Sequence, residues 1–375
     1  MTKKCTTVST HSTCRAIAAV YYPDYKGAAL ADSRMALLAI GCVALVFSGV
    51  TTPMVIWLAR RLGALDRPAG YKAHAQPTPL LGGLVIALGL VGGLLWRFPA
   101  GGPIGLVGLS ALASGSAIIL LAGLLDDVRG LAPGHKFVWQ VAAAGAAGLS
   151  MALLGVRLSL FLPWPPVEII LLTVLWVVGI TNAVNFLDNM NGLCAGLGAV
   201  AACSLAAINL RSGEHTVAVV SAALAGSCLG FLPYNWPRAR IFLGDAGAML
   251  IGFLLAALSV MGVYTRGAHV PVLAVFTPLF VLGIPVLDSV LVVLLRLRIG
   301  HPPWVGDRRH ISHRLVQRGM HPAAAVATLW AAGAACGLAA LLLPTVGAEE
   351  APLLLALLFC ALGALAAAAG TRGLS

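Results

Sequence analysis

Four carboxylates interrupt an otherwise apolar sequence at places where a membrane segment should be ending: Asp126 and Asp127 in GLLDDVRG, Asp188 in NAVNFLDNMNGL and Asp245 in FLGDAG. Adjacent acids repel each other and resist entry into lipid, so Asp126 and Asp127 call for a divalent cation or cationic partners. Driving a charge toward a helix centre costs roughly 2.5–3.5 kcal/mol, so gathering four acids at one membrane face needs a compensating cation or catalytic use. Oxygen donors with no Cys/His cluster beside them suit Mg²⁺ or Mn²⁺ better than Zn²⁺. Two plainer readings compete. Asp245 could cap the helix it opens, and Asp126–Asp127 could be a solvated helix end.

The complementary charges lie in RRHISHRLVQRG, where Arg308, Arg309, His310, His313 and Arg314 supply forks and point charges suited to phosphate oxygens. Lys136 and Gln140, four residues apart at the opening of a span, face the same interface. If the helix beginning near Val167 runs through the amide-rich stretch, Asn182, Asn185 and Asp188 fall at i, i+3 and i+6, along one face. Such groups are costly in lipid and mark a functional site by default. Asn191 and Gly192 follow directly. The loop RPAGYKAHAQPTPLLGG offers Lys72, His74 and Thr78 beside Gly82–Gly83, where backbone could approach a ligand closely. Acids for a metal opposite bases for phosphates compose a phosphoryl-transfer site. Asp288, in PVLDSV, reads equally well as structural or functional. Arg296 and Arg298 read as topology signals in contact with anionic lipid.

Elements must carry these groups to one place. The chain of 375 residues is 59% hydrophobic and 10% charged, with mean hydropathy +0.94, too little polar surface for a soluble globule. The expectation is an all-α, polytopic membrane bundle of about ten or eleven helices. Candidate spans fall at about 35–58, 80–98, 104–125, 137–154, 167–187, 193–210, 216–235, 246–264, 270–295, 322–343 and 351–370. Lys and Arg crowd the loops after odd-numbered spans, whereas the opposite side carries Arg97, Arg157, Arg211 and Arg266. The odd loops are therefore expected to be cytoplasmic. They hold every polar cluster, at 59–79, 126–136, 188–192, 236–245 and 296–321. A transporter would instead be expected to place its charges near the midplane in broken helices. The net charge of +11 is dispersed among the loops, which argues against a nucleic-acid partner. The eight cysteines lack metal-ligand spacing and read as small hydrophobes. Residues 1–33 are expected to be a disordered extension preceding a single domain at 34–372.

With these motifs in this order, residues from about 60 to 320 resemble the polyprenyl-phosphate N-acetylhexosamine-1-phosphate transferase family. The run Asp307–Leu315 matches the D-R-x-H-I-x-H-R-L form of the branch that uses UDP-N-acetylglucosamine or a related nucleotide. The three-histidine run of the muramoyl-pentapeptide translocases is missing, as is the D-G-x-x-A-R element of CDP-alcohol phosphotransferases. The resemblance implies transfer of a sugar 1-phosphate from a UDP-sugar to polyprenyl phosphate, with release of UMP and a requirement for Mg²⁺. It implies a bacterial inner-membrane location, a cytoplasmic active site and a bilayer-embedded substrate; it leaves a homodimer open. By motif match, Asn185 and Asp245 would bind the metal, Asp126 would be the base and Asp127 its assistant, with Asp188 in support. Lys136, Arg309, His310, His313 and Arg314 would hold phosphates or sugar. Phe242 would stack on uracil, Asn191 would bond its edge, and Lys72 and Thr78 would border the phosphate or lipid entry. Many bacterial members carry Asp where this chain has Asn191.

Overall fold

The computed structural model describes residues 27–66, 77–96, 105–153, 166–264, 276–302 and 309–343, with scattered positions between 346 and 364. Among them are twelve helices and one two-stranded hairpin. In chain order these are α1 (Gly27–Leu62), β1 (Leu65–Asp66), β2 (Thr78–Pro79), α2 (Gly82–Trp96), α3 (Gly105–Arg129), α4 (Pro133–Leu153), α5 (Pro166–Phe186) and α6 (Leu193–Ser212). They continue with α7 (His215–Asn235), α8 (Gly244–Met261), α9 (Thr277–Val281), α10 (Gly283–Arg298), α11 (Ile311–Gln317) and α12 (Pro322–Leu342). The strands pair antiparallel, Leu65 with Pro79 and Asp66 with Thr78.

Six of the described helices are long and apolar enough to cross a membrane, and Gly82–Trp96 and Ile170–Phe186 are shorter apolar helices. The protein is a multi-pass helical membrane protein. Its axis is α8, whose sequence is apolar on every side and in which each residue from Ala246 to Met261 is buried; a helix of that pattern belongs inside a bundle. It packs against α2, α3, α5, α6 and α7. Small residues set the spacing: a Cβ on Gly123 would lie 2.2 Å from Ala246 Cα, and one on Gly83 would lie 2.4 Å from Gly247 N. The outer helix α1 instead exposes Leu38, Val46, Val50, Met54 and Trp57, as a lipid-facing surface would.

Several sequence expectations change. Helix α1 opens at Gly27, so the boundary expected at residue 34 falls inside a helix; residues 1–26 lie outside the described set. The expected ninth span is broken into α9 and α10 at Leu282. Pro285 explains the break, because it has no N–H to donate to Val281 and its ring crowds that carbonyl. Helix α5 ends at Phe186, leaving Asp188 in the following turn and not on a continuous face with Asn182 and Asn185. The eleventh span falls almost entirely outside the described residues. Arg296 does not face lipid: it is 1% exposed, with its guanidinium 5.4 Å from the centre of the Phe186 ring.

Candidate active site

The mouth of the bundle forms where α3 ends and α4 and α8 begin. Asp126 and Asp127 occupy the last turn of α3, Lys136 the first turn of α4 and Asp245 the first turn of α8. Lys136 Nζ lies 2.5 Å from Asp126 Oδ2 and also donates to Asp245 Oδ2, bridging carboxylates from two helices. Asp126 Oδ1 accepts from the Leu131 amide at 2.6 Å. At 8% exposure Asp126 is not a solvated helix end.

Its neighbour turns the other way. Asp127 Oδ1 accepts from the Asp245 amide at 2.8 Å, and Oδ2 from the Ala246 amide at 3.3 Å. The cap of α8 therefore comes from Asp127 on α3, while the Asp245 carboxylate accepts from Lys136. A carboxylate there also meets the positive end of the helix dipole. Gly244 leaves it room: its φ is 72°, and a Cβ would lie 2.5 Å from Asp127 Oδ2.

Asp188 completes the acidic group. Burial first, then the negative charges of Asp245 and Asp127, push its pKa up to about 8. Its amide donates to the Asn185 carbonyl at 3.1 Å. Asn182, one turn deeper, is held by Gln140, with Nδ2 to Oε1 at 2.6 Å, so the amide of Asn182 is spent on joining α5 to α4.

The basic segment is anchored by an acid. Asp288, 1% exposed on α10, accepts from the Ile311 amide at 2.7 Å and lies 2.6 Å from His310 Nδ1. It thus starts α11 and fixes the His310 ring. The rings of His310 and His313 are 6.5 Å apart. Arg309 and His313 are half-buried, whereas Arg314 is buried with Nη2 lacking an acceptor among the described residues. Ser312 Oγ donates to Asn189 Oδ1 at 2.7 Å, tying α11 to the turn that holds Asp188.

The remaining expected residues are more peripheral. Asn191 donates to the Pro237 carbonyl at 3.3 Å. Phe242 is half-buried, and its backbone is clasped by the Pro79 carbonyl at 2.8 Å and the Gly82 amide at 3.1 Å. Gly82–Gly83 therefore admits the start of α8, not a ligand. Thr78 is buried in β2; Lys72, His74, Asp307 and Arg308 lie outside the described residues. One organiser escaped the sequence reading. Buried Asn235 accepts from the Gly192 amide at 2.7 Å and donates to the Ile241 carbonyl at 2.9 Å, joining two site loops. Its signal was an amide at the end of an apolar span, as at Asn185.

Residues 109–263 match the model of a family described as glycosyl transferase family 4. The "Probable undecaprenyl-phosphate N-acetylglucosaminyl 1-phosphate transferase" of Bacillus subtilis is 33% identical over 322 residues, covering 83% of this chain and 86% of that protein. The chain belongs to glycosyl transferase family 4. A second relative, the decaprenyl-phosphate N-acetylglucosaminephosphotransferase of Mycobacterium tuberculosis, is 38% identical over 325 residues, 79% of each chain. The phospho-N-acetylmuramoyl-pentapeptide-transferase of Geobacillus kaustophilus is 31% identical over 256 residues, 61% of this chain and 76% of that one. The matched family 4 segment contains Asp126, Asp127, Lys136, Asn185, Asp188, Asn191, Phe242 and Asp245. The Asp288–Arg314 half lies beyond it.

Proposed function

We propose that this family 4 transferase moves N-acetylglucosamine 1-phosphate from its UDP derivative to polyprenyl phosphate, starting a cell-envelope glycan on the cytoplasmic side of the bacterial inner membrane. The observation that carries the reading is the Lys136 bridge between Asp126 and Asp245; α11, tied through Ser312 and Asn189 to the turn that holds Asp188, carries Arg314, whose Nη2 lacks an acceptor among the described residues. The activities named for the two N-acetylglucosamine-phosphate relatives support the substrate pair.

The donor set fits Mg²⁺. Among the described residues no three acidic, His or Cys side chains form a ready-made cage, but Mg²⁺ is commonly held by one or two carboxylates with substrate phosphates and water supplying the rest. Asp245 and Asn185 would hold the ion, and when bound it would neutralise charge on the pyrophosphate. The protein's own residues do the rest. Lys136 already supplies a positive charge between Asp126 and Asp245, and a pyrophosphate offers its ammonium a competing anion. With Lys136 turned to the phosphates, Asp126 is free to take any proton remaining on the lipid phosphate. An oxygen of that phosphate attacks the sugar-linked phosphorus of the donor. The bond to the uridine-linked phosphate breaks, and UMP leaves with the bonding electrons. Arg314, with His313 and Arg309, would hold the equatorial oxygens. Asp127 acts at one remove, by seating the first turn of α8 so that Asp245 faces Lys136. Phe242 and Asn191 are assigned to the base and Thr78 to the approach.

Incubation of the purified protein with labelled UDP-sugars and polyprenyl phosphate, with and without EDTA, tests this. Lipid-linked N-acetylglucosamine pyrophosphate and equimolar UMP, both lost with EDTA, are expected. Product from UDP-N-acetylmuramoyl-pentapeptide alone would replace the sugar assignment, and no product from any donor would overturn the reading.

A further inference from the structure

Outside the active site, one groove combines apolar walls with cationic chemistry. It has a volume of about 550 Å³ and runs between α1 and α7, lined by Leu45, Val46, Val50, Pro53, Leu229 and Pro233, with Tyr234 and Arg240 at one end. Its floor is a close helix contact: a Cβ on Gly230 would lie 2.2 Å from the Leu45 carbonyl oxygen, and Ser48 Oγ donates to the Ser227 carbonyl at 2.8 Å. Above that contact each helix carries a proline. Pro53 and Pro233 have no N–H, so the carbonyls of Gly49 and Leu229, both in the groove lining, lack the donor that a regular helix provides four residues on. Such carbonyls are costly against hydrocarbon alone.

Charge selects the occupant. Arg240 is exposed, and among the described residues no acidic side chain lines the groove. The Arg240 amide donates to the Tyr234 carbonyl at 2.8 Å, which draws the segment after α7 back onto the last turn of that helix and sets the two residues side by side. Val46 and Val50 are more than half exposed on the membrane-facing side of α1. An inorganic anion would leave this apolar lining unused, and the ammonium of a zwitterionic lipid would stand beside Arg240 with no carboxylate to meet it.

We infer that the α1–α7 groove is a binding site for an anionic bilayer phospholipid, its acyl chain along Leu45, Val50 and Leu229 and its phosphate on Arg240 and Tyr234. The site is separate from the acidic cluster and does not depend on the transferase reading. A test is native mass spectrometry of the full-length, delipidated protein titrated with phosphatidylglycerol or with phosphatidylcholine of the same acyl chains. Wild type should retain phosphatidylglycerol about fivefold more tightly, the ratio equivalent to the ~1 kcal/mol that one basic residue gains at an anionic headgroup. Arg240→Gln should remove the preference while Arg238→Gln keeps it, and Leu229→Trp, which fills the groove, should weaken both lipids. An unchanged preference in Arg240→Gln, or equal retention of the two lipids by wild type, would overturn the inference. So would stoichiometric displacement of phosphatidylglycerol by polyprenyl phosphate, which would give the groove to the acceptor.

Discussion

The two halves of the site use buried acids in opposite ways. Where α3, α4 and α8 meet, Asp126 and Asp245 share one ammonium, a partner on a flexible stem that can leave when a stronger anion arrives. Where α10 meets α11, Asp288 is committed to a backbone amide and an imidazole, neither of which can turn away without unmaking the start of α11. Asp127 belongs with Asp288 in this respect, although it adjoins Asp126 in sequence. The acids suited to chemistry keep an oxygen on an exchangeable partner, as Asp126 keeps Oδ2 on Lys136 while Oδ1 takes the Leu131 amide; the acids that shape the site, Asp127 and Asp288, have both oxygens committed.

Substitutions can break that division. Asp245→Ala and Asp126→Asn should each lower turnover by about a thousandfold, the scale of losing a principal electrostatic group, with helical circular dichroism unchanged. Near-normal product formation by either variant would remove it from the exchangeable pair. Asp288→Ala should cost about 3 kcal/mol of stability, because it leaves a buried donor and a histidine without their acceptor. Hydrogen exchange should then quicken at Ile311–Gln317 before the rest of the bundle; uniform exchange would show that the contact does not start α11. Gly244→Ala should cost about 1–3 kcal/mol for a left-handed non-glycine residue and push Asp127 off the α8 amides, read as a lower thermal midpoint in detergent.

The smallest effect is expected at the opposite end of the bundle. Buried Glu214, between α6 and α7, has Oε1 without a partner among the described residues, and burial raises its pKa from 4.5 to about 7. A raised carboxyl pKa means that ionisation opposes folding, so stability should fall as pH rises from about 4.5 through 7. Glu214→Gln should remove that slope in thermal melts and leave turnover at the mouth unaltered. A slope retained in the variant would show that other groups set it.

Much of this could be read from residue types. Apolar run lengths located α3, α5, α6, α7, α8 and α12 to within a few residues, and the polar clusters at span ends marked the mouth. Local signals mislead where their cause is distant. Gly82–Gly83 looked like an approach for a ligand, yet what approaches is the first turn of α8. Arg296 looked like a topology signal, yet its position over Phe186 depends on α5 lying beside α10. A continuous apolar run concealed the break that Pro285 makes between α9 and α10.

By itself the sequence determined that the chain is a helical membrane protein, which side chains are too polar for lipid, and that they gather at span ends of one parity. These follow from transfer energies and from the periodicity of side chains along one segment. The motif match sets Asp126 apart from Asp127 by role, but only the tertiary structure shows the different partners that the two take. Two adjacent carboxylates have the same local chemistry, and their roles part because α8 reaches α3 at Gly123, setting its first amides on Asp127 while Lys136 of α4 reaches Asp126 and Asp245.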